Sequence, residues 1–220
     1  MKMTLPNILT LFRLLAAPGV IVAFLVLPRP FADWLAFVLF VGAAVTDYVD
    51  GYLARKLQQV SKIGTMLDPI ADKAMVALAL LALAVWSPYA VAVILPGAVI
   101  LFREVFVSGL REFLGDVAGT LKVTKLAKWK TAVQMIAIAL LLAHGAFNST
   151  LGMAVFGMDS DTVSSILDGA AEDPVGVRGK LFRAEWSGYI GLGLIWLAAV
   201  LTAITGWDYF SKARKHLGED

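Results

Sequence analysis

Residues 47–72 read DYVDGYLARKLQQVSKIGTMLDPIAD, and this stretch places Asp47, Asp50, Asp68 and Asp72 within an otherwise apolar chain. The apolar setting decides the fold class, since 59% of the residues are hydrophobic, 16% are charged and the mean hydropathy is +0.78. Such a composition leaves too little polar surface to cover a soluble globule. A carboxylate in a membrane helix costs about 2.5 to 3.5 kcal/mol, so four of them require a compensating cation. The stretch therefore indicates a metal site in an integral membrane protein.

Six apolar segments approach or exceed the roughly 20 residues that a helix needs to cross the hydrocarbon core of a bilayer. They are predicted at residues 8–27, 32–52, 66–86, 90–109, 128–147 and 186–206. Residues 3–13 mix polar and apolar side chains, which predicts a short helix that lies in the membrane interface. We therefore expect residues 1–220 to form one all-α membrane domain with six transmembrane helices and a short amino-terminal interfacial helix.

The basic residues predict the orientation of these spans. If both termini lie on one side, only Arg29, Arg178, Lys180 and Arg183 of the 19 Lys and Arg residues fall on the opposite side. The positive-inside rule then assigns the richer side to the cytoplasm. We expect an integral protein of the inner (cell) membrane whose aspartates open to the cytoplasm.

The remaining composition excludes some partners and covalent links. The net charge of +2 is too small to indicate nucleic-acid binding, and the absence of cysteine excludes disulfides. Residues 148–184 form the one long polar loop, in which 161–168 are expected to be a short helix. The sequence does not indicate what this loop does.

Helical periodicity predicts that the four aspartates form two pairs, each on one face of a helix. At about 100° per residue, Asp47 and Asp50 share one face at the cytoplasmic end of the second span. Asp68 and Asp72 are four residues apart and share one face of the next span. Converging carboxylates suit hard divalent cations, which in pairs hold the attacking and leaving oxygens of a phosphoryl displacement. The spacing therefore favours phosphoryl transfer.

The residues between these aspartates are consistent with a phosphate ligand. Gly51 and Ala54 lie on the same face as Asp47 and leave room beside it, and Gly51 would let a nucleotide approach the backbone. Arg55 can offer a fork of donors to phosphate oxygens. These small and basic residues predict a nucleotide or phosphate beside the metal.

The aspartates also suit two roles that involve no metal. Thr65 to Asp68 fits a capping box, with Pro69 tolerated in the first helical turn, so that Asp68 would only begin a helix. A cap at Asp68 leaves the remaining three aspartates without a role. Four carboxylates also suit an ion-conduction or proton-relay path in a carboxylate-lined transporter, although all four lie at one end of the predicted bundle.

The full pattern, D-x2-D-G-x2-A-R-x8-G-x3-D-x3-D, resembles the motif of the CDP-alcohol phosphatidyltransferases. Its fixed positions are met by Asp47, Asp50, Gly51, Ala54, Arg55, Gly64, Asp68 and Asp72. The resemblance implies the CDP-alcohol phosphotransferase fold, with six transmembrane helices around a polar cavity that faces the cytoplasm. It also implies a homodimer in the lipid bilayer, and Mg²⁺ or Mn²⁺, as two ions, bound by the aspartates. Members of this family displace CMP from a CDP-linked lipid or alcohol.

Three further segments resemble the branch of this family that forms phosphatidylglycerophosphate from CDP-diacylglycerol and glycerol 3-phosphate. They are residues 5–13 (LPNILTLFR), 103–112 (REVFVSGLRE) and 128–134 (KWKTAVQ), with Ala127 where that branch usually has glycine. A member that uses inositol phosphate or a lipid-linked glycerol as acceptor would keep the aspartates and differ in the pocket. The acceptor is therefore expected to be glycerol 3-phosphate, and these two others remain alternatives.

The resemblance also implies roles for individual residues. Asp47, Asp50 and Asp68 would ligate the metal ions, and Asp72 would be both a ligand and the general base. The residues expected to bind the CDP group are Asn7, Thr10, Asp47, Gly51, Ala54, Arg55, Gly64 and Thr65.

The acceptor carries a phosphate dianion, which predicts a basic pocket beside the metals. The candidates lie on the fourth and fifth spans and are Arg103, Arg111, Lys125, Lys128 and Lys130. Glu104 and Glu112 are expected either to pair with Arg103 and Arg111 in the wall of this cavity or to contact the substrate directly. The alternative for the lysines is that they hold the membrane interface and attract anionic lipid.

Overall fold

The computed structural model describes residues 5–57, 62–115, 119 and 125–216, and this description excludes the side chains of residues 5, 6, 48–57, 62, 125 and 128. Within these ranges the chain is helical and contains no strand, as the all-α prediction requires. The helices are α1 (Leu5–Val26), α2 (Phe31–Leu57), α3 (Lys62–Trp86), α4 (Ala90–Leu114), α5 (Lys125–Ala154), α6 (Ser160–Leu167) and α7 (Val177–Ala213). A short 3₁₀ turn, Arg214–His216, ends the described chain.

Five of these helices are long and apolar enough to cross a membrane. Within the described residues, these candidate spans are Asn7–Val26, Ile63–Trp86, Ala90–Leu114, Trp129–Ala154 and Val177–His216. The predicted multi-pass membrane protein is therefore supported. The helix α2 is 27 residues long but is not among the five, so the sixth span stays a prediction.

The amino-terminal segment forms one uninterrupted helix. Residues 5–13 continue directly into the rest of α1, and Pro18 lies inside this helix. A separate interfacial helix is therefore not confirmed.

The helices pack through small side chains. α1 packs against α2 and α3, and α5 packs most extensively against α7, which also contacts α4. The buried faces of α1 and α2 carry alanines such as Ala17 and Ala36, and these let helix backbones approach closely. Gly191 on α7 does the same, because a Cβ atom there would lie 3.0 Å from Cγ of Leu141 on α5.

The segment between α5 and α7 is shorter than the predicted loop at 148–184. α5 continues to Ala154 and α7 already begins at Val177, while the expected short helix is present as α6. Asp159 caps α6 by accepting the amide hydrogen of Thr162 at 2.6 Å, and this hydrogen bond lowers the pKa of Asp159. The loop prediction was thus right about α6 and wrong about both ends.

Asp173 caps the start of α7. Its carboxylate accepts the amide hydrogens of Val177 at 2.6 Å and Arg178 at 3.1 Å. Desolvation would raise the pKa of Asp173, but these hydrogen bonds and the charge of Arg178 lower it below the usual value. The cap allows α7 to begin nine residues before the predicted span at 186–206.

The end of the bundle away from the aspartate run has its own polar contacts. The buried carboxylate of Asp33 on α2 accepts hydrogen bonds from Arg29 at 2.8 Å and from Ser149 of α5 at 2.7 Å. His144 of α5 donates from Nδ1 to the carbonyl oxygen of Ala184 on α7 at 2.8 Å. These bonds join α5 to α2 and to α7.

Candidate active site

Three of the four predicted metal-binding aspartates converge on the guanidinium of Arg13. Nη1 of Arg13 donates to Oδ1 of Asp47 and, at 2.6 Å, to Oδ1 of Asp72, while Nη2 donates to Oδ1 of Asp68 at 3.1 Å. These residues come from α1, α2 and α3, whose packing brings the two aspartate-bearing segments together. Helical periodicity correctly predicted that Asp68 and Asp72 share one face of α3, and the structure brings Asp47 of α2 to the same guanidinium.

The cluster has a buried side and an open side. The Arg13 side chain is 2% exposed, whereas the side chains of Asp47, Asp68 and Asp72 are 53%, 45% and 54% exposed. Thr10, which is also buried, lies one turn before Arg13 on α1 and donates its hydroxyl hydrogen to Oδ1 of Asp68 at 2.7 Å. The carboxylates thus lie between an internal cation and the surface of the chain.

The other residues predicted to bind CDP are placed less fully. Asn7 is half-buried, Gly64 is buried and Thr65 is exposed. Thr10 contacts Asp68, so its hydrogen bond supports the aspartate cluster, and its predicted contact with CDP remains a prediction.

Several predicted residues have side chains that fall outside the described part of the structure. They are Asp50, Gly51, Ala54 and Arg55 at the end of α2, and Lys125 and Lys128 at the start of α5. Their roles in metal, CDP and phosphate binding stay predictions.

The capping-box alternative for Asp68 is wrong. The helix α3 begins at Lys62, so Thr65 and Asp68 both lie inside it. Asp68 instead accepts hydrogen bonds from two residues of α1. Its carboxylate is used between helices and does not start one.

A second charged cluster joins α4 to α5. Oε1 of Glu104 accepts hydrogen bonds from Nζ of Lys130 at 2.5 Å and from Nη1 of Arg103 at 3.1 Å. Lys130 is buried, and the other two side chains are mostly buried. The expected pairing of Glu104 with Arg103 is confirmed, and Lys130 is an additional partner that the sequence did not predict.

Contacts from α3 and α7 enclose this second cluster. The Lys73 ammonium of α3 contacts the hydroxyl of Ser108, which donates to the carbonyl oxygen of Glu104 at 2.7 Å. On the α7 side, Gly206 makes room for Arg103, because a Cβ atom at Gly206 would lie 2.8 Å from Cγ of Arg103. The second cluster is therefore linked to the helix that carries Asp68 and Asp72.

Arg111 takes a different position from Arg103. It is exposed, and its guanidinium carbon lies 5.3 Å from the ring centroid of Tyr209 on α7. This is a cation–π contact, which holds the side chain in place while leaving its donors available to an anion. The position of Arg111 therefore fits phosphate binding, and that role stays a prediction.

The described residues between α4, α5 and α7 also include buried polar atoms without a hydrogen-bond partner. They are Nε of Arg103, Oε1 of Gln134, Oγ1 of Thr202 and the hydroxyl oxygen of Tyr209. Gln134 lies one helical turn from Lys130, and Thr202, Gly206 and Tyr209 share one face of α7. Buried polar atoms of this kind are normally bonded to water or to a ligand.

Arg13 is the central residue of this cluster, and the sequence indicated it only as the last residue of the segment 5–13. A signal was available, because a guanidinium inside a predicted apolar span is as costly as the aspartates and needs a partner. Its partners lie 34 to 59 positions away along the chain, so helical periodicity could not identify them.

The three carboxylates that contact Arg13 are chemically suited to a divalent metal ion. Carboxylate oxygens are the ligands that Mg²⁺ and Mn²⁺ prefer. Three carboxylates and one guanidinium leave a formal charge of −2 among these side chains. Among the described residues, no three acidic or histidine side chains are arranged as ligands of one metal ion. Asp47, Asp68 and Asp72 instead share Arg13 as their partner.

Comparisons with known proteins show which family the chain is similar to. A family model described as CDP-alcohol phosphatidyltransferase matches residues 3–159, which include both clusters. A relative from Cereibacter sphaeroides is 53% identical over 220 residues, covering 100% of both chains. Relatives from Rickettsia bellii and Shigella flexneri are 36% identical over 96% of both chains and 32% identical over 99% of this chain and 98% of the relative.

All three relatives are named CDP-diacylglycerol–glycerol-3-phosphate 3-phosphatidyltransferase. The family match covers more than half of the chain, and the relatives extend the similarity across α7. The chain belongs to the CDP-alcohol phosphatidyltransferase family.

Proposed function

We propose that this protein transfers the phosphatidyl group of CDP-diacylglycerol to the 1-hydroxyl of glycerol 3-phosphate, giving phosphatidylglycerophosphate and CMP. The names of the full-length relatives support this choice of substrates. The observation that carries the proposal is the convergence of Asp47, Asp68 and Asp72 on one cation. A second, basic cluster is linked to the same helix α3 through Lys73 and Ser108. The first cluster suits a diphosphate held through metal, and the second suits a phosphate.

In this proposal, Asp47, Asp50, Asp68 and Asp72 hold two Mg²⁺ or Mn²⁺ ions. When bound, these ions neutralise the diphosphate and the charge that develops on the departing CMP. The half-exposed carboxylates of Asp47 and Asp68 are open to ligands from the polar side of the site. Arg55 would add a charged donor to the same diphosphate.

Asp72 is proposed as the general base. Its side chain is 54% exposed, so an acceptor hydroxyl can approach it. The carboxylate removes the hydroxyl proton while the hydroxyl oxygen attacks the lipid-side phosphorus in line. The new P–O bond replaces the bond to CMP, which leaves with the electron pair. Positioning supplies much of the acceleration, because a carboxylate is a weak base toward an alcohol.

The phosphate of the acceptor is proposed to bind at the basic cluster. Arg103, Lys130 and Glu104 together carry a formal charge of +1, so the pocket can accept an anion. Before the anion binds, Glu104 provides a counter-charge for the buried ammonium of Lys130. Arg111, held over Tyr209, supplies a second guanidinium. Lys125 and Lys128 would extend this basic surface.

The membrane context supports a cytoplasmic site. With six spans and both termini on one side, most basic residues would fall on the side of the aspartates. The relatives' named substrates are a CDP-linked lipid and glycerol 3-phosphate. We propose that the protein lies in the inner (cell) membrane, works as a homodimer and opens its active site to the cytoplasm.

Release of CMP by the purified protein tests this proposal. CDP-diacylglycerol and Mg²⁺ or Mn²⁺ would be supplied with glycerol 3-phosphate, inositol phosphate or a lipid-linked glycerol. We expect CMP release with glycerol 3-phosphate and little with the other two acceptors. Release with inositol phosphate alone would overturn the acceptor assignment, and no release with any acceptor would overturn the transferase function.

The role of Asp72 is tested by Asp72→Asn, with Asp161→Asn on the exposed face of α6 as the matched control. Loss of a general base is expected to lower kcat by about 10²- to 10⁴-fold, while CDP-diacylglycerol still binds in a filtration or calorimetric assay. Loss of lipid binding along with turnover would show that Asp72 serves mainly as a metal ligand.

A further inference from the structure

The inner oxygens of the aspartate cluster are all held by two residues of α1. Arg13 contacts Oδ1 of Asp47, Asp68 and Asp72, and Thr10 donates to the same oxygen of Asp68. Each carboxylate has a second oxygen, and each of these side chains is about half exposed. Arg13 and Thr10 thus contact the carboxylates from the buried side.

The shape of the guanidinium matters for this arrangement. It is planar, always protonated, and presents donors in a fixed fork, so two nitrogens can fix three carboxylates in one geometry. Lysine offers a compact charge on a flexible stem and cannot reproduce that geometry. Hydrogen bonds to the ligating groups from outside the metal's own coordination shell typically change metal affinity about 10- to 100-fold when they are removed.

We propose that Arg13 and Thr10 are positioning residues that orient the aspartates of α2 and α3 for a divalent cation. Arg13 keeps one oxygen of each carboxylate turned inward, so the second oxygen is presented on the open side. The inference rests on the proposed metal-dependent function and adds residues of α1 that need not touch the metal or the substrate.

Charge and geometry predict opposite effects of replacing Arg13, which makes the inference testable. A positive charge beside the site opposes a divalent cation by Coulomb repulsion, so removing it would by itself tighten metal binding. Loss of orientation weakens metal binding. If Arg13 acts by positioning, the affinity must fall despite the loss of a repelling charge.

The test is Mn²⁺ binding to purified full-length protein in detergent, measured by electron paramagnetic resonance without either substrate. We expect Arg13→Gln to weaken Mn²⁺ binding about 10- to 100-fold, and Thr10→Val to weaken it less. Arg29→Gln is the matched control, since Arg29 pairs with Asp33 at the other end of the bundle, and it should leave the Mn²⁺ affinity unchanged. Equal or tighter binding by Arg13→Gln overturns the proposal.

Arg13→Lys covers the case in which Arg13→Gln does not fold. The lysine variant keeps the positive charge and loses the fixed fork of guanidinium donors, so this variant should also bind Mn²⁺ more weakly. Unchanged affinity would mean that a point charge suffices and would overturn the positioning role. If the parent protein releases CMP and binds Mn²⁺ but the variants bind it equally well, only this inference fails. If the parent binds no Mn²⁺, the metal dependence of the proposed function fails as well.

Discussion

Replacing Gly188 of α7 by alanine should destabilise the protein without changing its proposed activity. A Cβ atom at this position would lie 2.6 Å from Cε2 of Tyr89 and 2.8 Å from Nδ1 of His144. Tyr89 and His144 stack with their ring centroids 4.7 Å apart, so neither ring can move away without disturbing the other. The close approach of α7 to these rings therefore depends on the missing side chain.

The expected loss of stability is the sum of two destabilising effects and one stabilising effect. Overpacking a well-packed interior costs about 1 to 3 kcal/mol. Displacement of His144 also weakens its hydrogen bond to the carbonyl oxygen of Ala184, worth about 1 kcal/mol. Alanine recovers up to about 1 kcal/mol through its higher helix propensity. The net loss is about 1 to 3 kcal/mol, and each kcal/mol lowers Tm by about 2 to 4 °C in a chain of this size.

Thermal unfolding in detergent measures this loss, with Gly193→Ala as the matched control. Gly193 lies in the same helix, and a Cβ atom there meets nothing within 4 Å. We expect Gly188→Ala to have the lower apparent Tm and both variants to keep the parent KM values. The KM values should not change because Gly188 lies about 27 Å along α7 from Gly206, the residue that contacts Arg103, at about 1.5 Å per residue. Equal Tm values for the two variants would refute the packing argument.

Three further outcomes are expected. Gly206→Ala should push the side chain of Arg103 aside and raise KM for glycerol 3-phosphate by up to about tenfold, the equivalent of about 1.4 kcal/mol, with KM for CDP-diacylglycerol unchanged. Glu104→Gln should remove the carboxylate that pairs with buried Lys130 and lower stability by about 3 kcal/mol, measured by thermal unfolding. Because the pKa of Asp173 is lowered in the folded protein, its cap is fully effective above the unfolded pKa of about 3.9. Hydrogen-exchange protection at the start of α7 should therefore fall as the pH drops through the still lower folded pKa of Asp173.

These outcomes have distinct controls. Gly193→Ala again serves for Gly206→Ala, and Glu112→Gln, an exposed residue of the same helix, serves for Glu104→Gln. An unchanged KM in Gly206→Ala would place the acceptor phosphate away from Arg103. Asp173→Asn should remove most of the pH dependence at the start of α7, and a dependence that persists in this variant would rule out Asp173 as its source.

The sequence predicted the parts of the molecule that depend on local periodicity. Asp68 and Asp72 share a face because they are four residues apart on one helix, and the structure brings them to the same guanidinium as Asp47. The short helix α6 follows from the polar cap at Asp159. Apolar length likewise predicted the five candidate spans within a few residues at several ends.

Contacts between helices distant along the chain were not predictable in this way. The role of Arg13 depends on how α1 packs between α2 and α3, and the environment of Arg103 depends on Gly206, more than 100 residues later. The helix α7 matched no motif, so nothing marked Gly206 or Tyr209 as neighbours of the basic cluster. The start of α7 was predicted too late because Arg178, Lys180 and Arg183 interrupt its apolar pattern.

The contact between Lys73 and Ser108 has a thermodynamic consequence. Lys73 follows Asp72 on α3, and Ser108 is bonded to the backbone of Glu104 on α4, so a chain of direct contacts joins the two clusters. Any free energy of coupling that results must be reciprocal. If occupancy of the aspartates raises the affinity for glycerol 3-phosphate by some factor, glycerol 3-phosphate raises the affinity at the aspartates by the same factor. Binding of the two substrates would then be cooperative within a single chain.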